Sequence, residues 1–73
     1  MNITEIVSAK PMPSRFRESS AWRVTFKTDD GRLFELAEVM QENKPQLHHI
    51  QREATAHPAH FWESWAKEIG HAE

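Results

Sequence analysis

The sequence predicts an α+β domain, a small three-stranded antiparallel sheet followed by two or three short helices, and three observations carry that reading. The stretch "FKTDDGRLF", residues 26 to 34, alternates apolar and polar side chains on both sides of a turn. Ahead of it, "NITEIVSA" is rich in β-branched residues. After Ala37 the apolar period changes from two to about three and a half. Strands are expected near residues 2 to 9, 21 to 28 and 32 to 37.

The hairpin register follows from the side chains. A two-residue turn at Asp30 and Gly31 would set Phe26 opposite Glu35 and Lys27 opposite Phe34, mixing apolar and charged groups on each face. A three-residue loop of Asp29, Asp30 and Gly31 instead pairs Phe26 with Phe34 and Val24 with Leu36. The other face then carries Arg23, Thr25, Lys27, Leu33, Glu35 and Ala37. A type I turn closed by glycine in the left-handed region suits such a loop, and Gly31 takes positive φ there without penalty. The two aspartates are accounted for without catalysis.

The first strand is read with Ile3, Val7 and Ala9 on one side and Ile6 on the other. Between it and Trp22 lies "KPMPSRFRESSA", where Pro11 and Pro13 disfavour a central strand and three serines favour irregular backbone. Residues 10 to 20 are therefore read as a flexible basic loop, and loops of this length are the first place to look for binding.

Beyond the sheet, "ELAEVMQEN" reads as the start of a short helix that breaks near Asn43, because Pro45 biases Lys44 away from helical angles. Pro45 then suits the first turn of a second helix whose apolar stripe is Leu47, Ile50 and Ala54. A third helix is expected from Pro58 to Ile69, with Phe61, Trp62, Trp65 and Ile69 on one face and Gly70 as the stop. Trp62 and Trp65 are expected to close the core over the sheet, the alternative being an exposed partner-binding stripe. The C-terminal tail is a candidate mobile segment.

Length and composition narrow the function. With 73 residues, twenty of them Ile, Leu, Val, Met, Phe or Trp, the chain suits one small domain with a thin core and no deep pocket. It has no cysteine, which fits a reducing cytoplasm and leaves no thiolate for a metal. No stretch reads as a signal peptide or a membrane span, so a soluble, cytoplasmic protein is expected. Of the five histidines, His57 and His60 are spaced for two ligands, but no third ligand completes a metal site. The others, His48, His49 and His71, read as solvated groups or weak pH sensors. No His-Glu-x-x-His pattern and no nucleophile elbow is present, and the protein is read as no enzyme, with no cofactor and no small-molecule substrate.

The net charge of -2 hides a separation. Residues 10 to 32 hold six basic against three acidic side chains, whereas residues 33 to 73 hold three basic against seven acidic ones. In "SRFR", Phe16 lies between Arg15 and Arg17, an aromatic-plus-basic pattern that could dock an acidic protein surface or contact nucleic acid. The candidate partner-binding residues are Lys10, Arg15, Phe16, Arg17, Arg23 and Lys27. An overall acidic chain makes direct RNA or DNA contact secondary.

From "MNITEIVSAKPMPSRFRESSAWRVTF" to "FWESWAKEIGHAE" the chain resembles, in length and overall look, the small lytic-phage proteins that bind the host's bacterial RNA polymerase. The resemblance implies a regulator that engages the large β and β′ subunits, inhibits σ-dependent initiation by competing with σ, and acts in antitermination. It implies work in the host cytoplasm without a cofactor. It offers no motif from which site residues carry over. Two other classes fit the same residues, a small nucleic-acid-binding module and an inhibitor of another host protein.

Overall fold

Phe26 stands opposite Phe34 and Val24 opposite Leu36 in the hairpin of β2 (Ala21–Thr28) and β3 (Arg32–Met40), the register that collects apolar side chains on one face. Gly31 adopts φ of 79°, and its N–H donates to the Thr28 carbonyl at 3.0 Å, closing the three-residue loop. The computed structural model describes residues 2–13 and 20–71. In it the described residues form an antiparallel sheet in chain order, β1 (Ile3–Met12), β2, β3 and β4 (Ala66–His71). Between β3 and β4 run α1 (Leu47–Ala56), the short α2 (Pro58–His60) and a π-helical turn, Phe61–Trp65. The α+β class and the antiparallel sheet agree with the sequence, and a fourth strand is added to the three expected.

That strand replaces the second half of the expected third helix. The helix from Pro58 ends at Trp65, where the Ala66 N–H reaches back to the Phe61 carbonyl and Ala66 itself is extended. Residues 66 to 71 then pair along β3, from Leu36↔Ala66 to Arg32↔His71. Pairing gives the outer edge of β3 its hydrogen bonds, and this outweighs the modest helical preference of "AKEI". Gly70 is not a helix stop but a strand residue with positive φ.

Four places of uneven pairing explain the remaining corrections. The ladder shifts between Ile3 and Glu5, between Ile6 and Ser8, between Trp22 and Val24, and between Leu33 and Phe34. Each inserts an extra residue, and an extra residue turns a two-residue spacing into a three-residue one. Ile3, Ile6 and Ala9, not Ile3, Val7 and Ala9, therefore face the core, and Val7 is left outside at 53% exposure. On β3 the same device lets both Leu36 and Val39 pack inward, so "ELAEVM" is strand and not the start of a helix. On β4 the extra residue is Ile69, which is half exposed.

The first three residues of the loop expected over residues 10 to 20 are strand instead. Lys10, Pro11 and Met12 pair with Arg23, Trp22 and Ala21 at the end of β1. Pro11 is tolerated because β1 is an edge strand, with no partner on one side to miss its N–H. Residues 14–19 and the last two residues, to which the mobile-tail reading applies, lie outside the described residues.

The core lies between the sheet and the helical layer. Phe26 stacks on Phe34 with centroids 5.5 Å apart and rings within 14°, while Trp62 meets both edge-on at 5.9 and 5.2 Å. Phe61 completes the group 5.7 Å from Phe26. Offset and edge-on contacts of this kind add about 0.5–1.5 kcal/mol per pair beyond burial. Leu47, Ile50 and Ala54 turn toward this core from α1 as the sequence expects. Pro45 is buried but precedes the helix, whose cap is Gln46. The Gln46 N–H donates to His49 Nδ1 at 3.3 Å, satisfying one N–H at the helix start. Gln51 ties α1 to the sheet by donating from Nε2 to the Ile3 carbonyl at 2.8 Å.

Candidate docking surface

Because Val24 and Phe26 are fully buried, the strand alternation sends Arg23, Thr25 and Lys27 to the opposite, open face of β2. The register brings β1 residues to the same face: Glu5 lies across from Lys27, Ser8 across from Thr25, and Lys10 across from Arg23. On the other flank Glu35 stands opposite Thr25, and Lys67 opposite Glu35. Helices cover only the other side of the sheet, so this face is bare among the described residues.

Its charges are unevenly matched. Lys27 Nζ is 3.3 Å from Glu5 Oε1, and Arg23 Nε is 4.0 Å from Glu35 Oε1. Both are exposed pairs of the kind that contribute about 0–1 kcal/mol. Lys10 has no carboxylate within ion-pair distance among the described residues and faces another cation, Arg23. Like charges directly opposite on a sheet are destabilising by a few tenths of a kcal/mol or more. The face therefore holds Lys10, Arg23, Lys27 and Lys67 against Glu5, Glu35 and, at the β3 bulge opposite Arg23, Glu38.

Of the six candidate residues, the structure brings Lys10, Arg23 and Lys27 together on one surface. Arg15, Phe16 and Arg17 lie outside the described residues. Lys67 joins the surface and was not legible in the sequence, because its segment carries a helical pattern and its place depends on pairing with β3.

The tryptophans part company. Trp62 is packed against the core, whereas Trp65 is 46% exposed beside His57 and His60, with ring centroids at 5.7 and 6.1 Å. Among the described residues no group of three His, Cys, Asp or Glu side chains is placed to hold a metal ion. No helix of the described residues is long and apolar enough to cross a membrane.

The expectation of a domain without a pocket is corrected. An open cavity of about 690 Å³ lies between the second half of β3, α1 and the π-helical turn. It is lined mainly by apolar side chains, with Ile50 and Phe61 on its floor. Sequence gave no sign of it, because it forms only where the fourth strand stops short of the third.

The titratable groups with clear shifts sit at the hairpin tip rather than on the open face. The Arg32 guanidinium hydrogen-bonded to Glu68 holds that carboxyl below its usual range, and a hydrogen bond from Thr28 does the same for Asp30. These shifts belong to a clamp between strands, and no pair of carboxylates is poised for acid and base roles there.

Compared with protein-family models, with curated proteins and with solved structures, the chain finds no match.

Proposed function

We propose that this protein is a non-enzymatic regulator, encoded by a lytic phage, that docks on the host's bacterial RNA polymerase and competes with σ at initiation. The observation that carries the reading is Lys10 facing Arg23 across the ladder, with Lys27 on the same bare sheet face. A like-charge pair held on an exposed face runs against the sheet's own stability, and such local conflicts tend to occur where a surface is shaped for a partner. A cationic face without a catalytic constellation suits the capture of an acidic protein surface, where charge speeds the encounter and arginine anchors it.

In this reading the partner surface is on the β and β′ subunits, the protein acts in the host cytoplasm, and antitermination follows if it stays bound during elongation. No turnover is involved. The protein shifts the polymerase between σ-bound and regulator-bound forms by its differential affinity. Direct nucleic-acid binding is less favoured, because the described part of the face offers no aromatic ring on which a base could stack.

The test is reconstitution with purified core polymerase. The protein should co-migrate with the core enzyme, reduce promoter-dependent initiation near stoichiometrically, and lose that effect as σ is added in excess. The double charge reversal Lys10→Glu with Arg23→Glu should weaken co-migration while leaving the circular dichroism spectrum unchanged. Failure to bind polymerase, with single-stranded RNA retained at low salt, would transfer the assignment to the nucleic-acid class.

A further inference from the structure

Of the two glycines in the chain, Gly31 follows Asp30 and Gly70 follows Ile69, so Asp30–Gly31 is the one aspartate–glycine pair. A main-chain nitrogen can attack the side-chain carboxyl carbon of a preceding aspartate, and glycine permits the close approach because it has no Cβ. The bond from Gly31 N to Asp30 Cγ forms, a carboxyl oxygen leaves with the amide proton as water, and a succinimide ring remains. Water then reopens the ring. Where it cleaves the bond between the Asp30 main-chain carbonyl carbon and Gly31 N, the chain continues through the side-chain carbon as isoaspartate. One water is lost and one is taken up, so solvent is the only co-reactant. The Asp30 side chain is half exposed, and solvent reaches it.

In the closed hairpin both reacting groups are engaged, and Thr28 engages both. Its carbonyl accepts the Gly31 N–H at 3.0 Å, and its hydroxyl donates to Asp30 Oδ1. Arg32 Nη1 lies 3.7 Å from Asp30 Oδ2. A carboxylate is a far poorer electrophile than a neutral carboxyl, and the Thr28 hydrogen bond, with Arg32 beside it, favours the charged form. Thr28 is the one buried polar residue among those described, and its hydroxyl also accepts the Arg32 N–H at 3.3 Å, which fixes it in place.

We propose that Asp30–Gly31 is an isoaspartate-forming modification site that Thr28 keeps closed while the hairpin is intact. Opening of the hairpin tip releases the nitrogen and the carboxyl together, so modification follows opening. Isoaspartate adds a carbon to the main chain of a loop whose length sets the register of Phe26 against Phe34. The modified hairpin therefore closes less well than the original. The site rests on its own chemistry and stands whether or not the polymerase reading holds.

The experiment is ageing of the intact protein at neutral pH beside a synthetic peptide of residues 27 to 33, "KTDDGRL", with isoaspartate counted by peptide mapping. The folded protein should form isoaspartate about tenfold more slowly than the peptide or more, the equivalent of at least one net hydrogen bond, and the urea-unfolded protein should age like the peptide. Thr28→Val should raise the rate severalfold and Thr28→Ser should restore it, with the Phe26 and Phe34 ring signals showing that each variant keeps the hairpin. In the parent itself the Gly31 amide should exchange with solvent far more slowly than in the peptide, a reading that stands even if Thr28→Val does not fold. Ageing of the folded parent at the peptide rate, or free exchange of its Gly31 amide, would overturn the proposal. So would a folded Thr28→Val variant that ages as slowly as the parent, or a Thr28→Ser variant that ages as fast as Thr28→Val.

Discussion

Arg32 clasps Glu68 with two parallel hydrogen bonds, Nε to Oε2 at 3.0 Å and Nη2 to Oε1 at 2.5 Å, and so fastens the hairpin to the last strand. The same guanidinium lies 3.7 Å from Asp30 and 5.2 Å over the Phe34 ring. A planar fork suits this task, since it can hold a carboxylate edge-on while stacking on an aromatic face. One side chain thereby links the turn, the core and the strand that sequence did not reveal.

Acid should loosen this clamp first. The folded-state carboxyls of Glu68 and Asp30 are both depressed, by the hydrogen bonds from Arg32 and Thr28 respectively. A depressed carboxyl adds stability that is fully present above its unfolded pKa, near 4, and is lost as pH falls through the folded value. Melting temperature should therefore hold steady from neutral pH to about pH 5 and fall below about pH 4. Glu68→Gln should melt lower than the parent at neutral pH, and the gap should close in acid, as read by circular dichroism at stepped pH.

Thr28 should prove to be the cause of the Asp30 shift. Its side chain is 1% exposed, donates to Asp30 Oδ1 and accepts from the Arg32 N–H at 3.3 Å. Thr28→Val keeps the shape but removes the donor, so the Asp30 carboxyl should titrate at higher pH in a carbon-detected titration. The Arg32 N–H, which loses its bond to the Thr28 hydroxyl, should exchange faster with solvent.

Gly31→Val should destabilise the protein by about 1–2 kcal/mol, because a β-branched residue resists a φ of 79°. An unchanged midpoint in urea would mean that the loop relaxes to another turn.

Phe61→Ala and Trp65→Ala should differ sharply despite lying on one helical turn. Phe61 is buried against Phe26 and Trp62, and its truncation should cost about 3–5 kcal/mol, much of what so small a domain has. Trp65 is half exposed, and its loss should change stability by less than about 1 kcal/mol. Urea melts of the two variants give the comparison directly.

The hairpin was legible because its information is local. "FKTDDGRLF" contains the turn residues, the alternation and both partners of the Phe26–Phe34 pair, so side-chain segregation alone selects the register. The α1 stripe of Leu47, Ile50 and Ala54 was legible for the same reason, since one helix turn contains its own period. The open cationic face followed in part, because Arg23 and Lys27 alternate with Val24 and Phe26 within a single strand.

By itself, then, the sequence determined an α+β class, one hairpin in a definite register, the helix over the core and a charge difference between its two parts. Tertiary structure alone decided the rest. "AKEIGH" became a strand because β3 had an outer edge to pair, and Lys67 and Glu68 took their places only through that pairing. "ELAEVM" looked helical because an extra residue in the ladder spaces Leu36 and Val39 three apart, and Ile3, Ile6 and Ala9 share that spacing in β1. A bulge is defined by two strands together, and a single strand's period cannot distinguish it from a turn of helix. The groove beside Ala37 and Val39 exists for the same reason, as the place where one strand outlasts its neighbour.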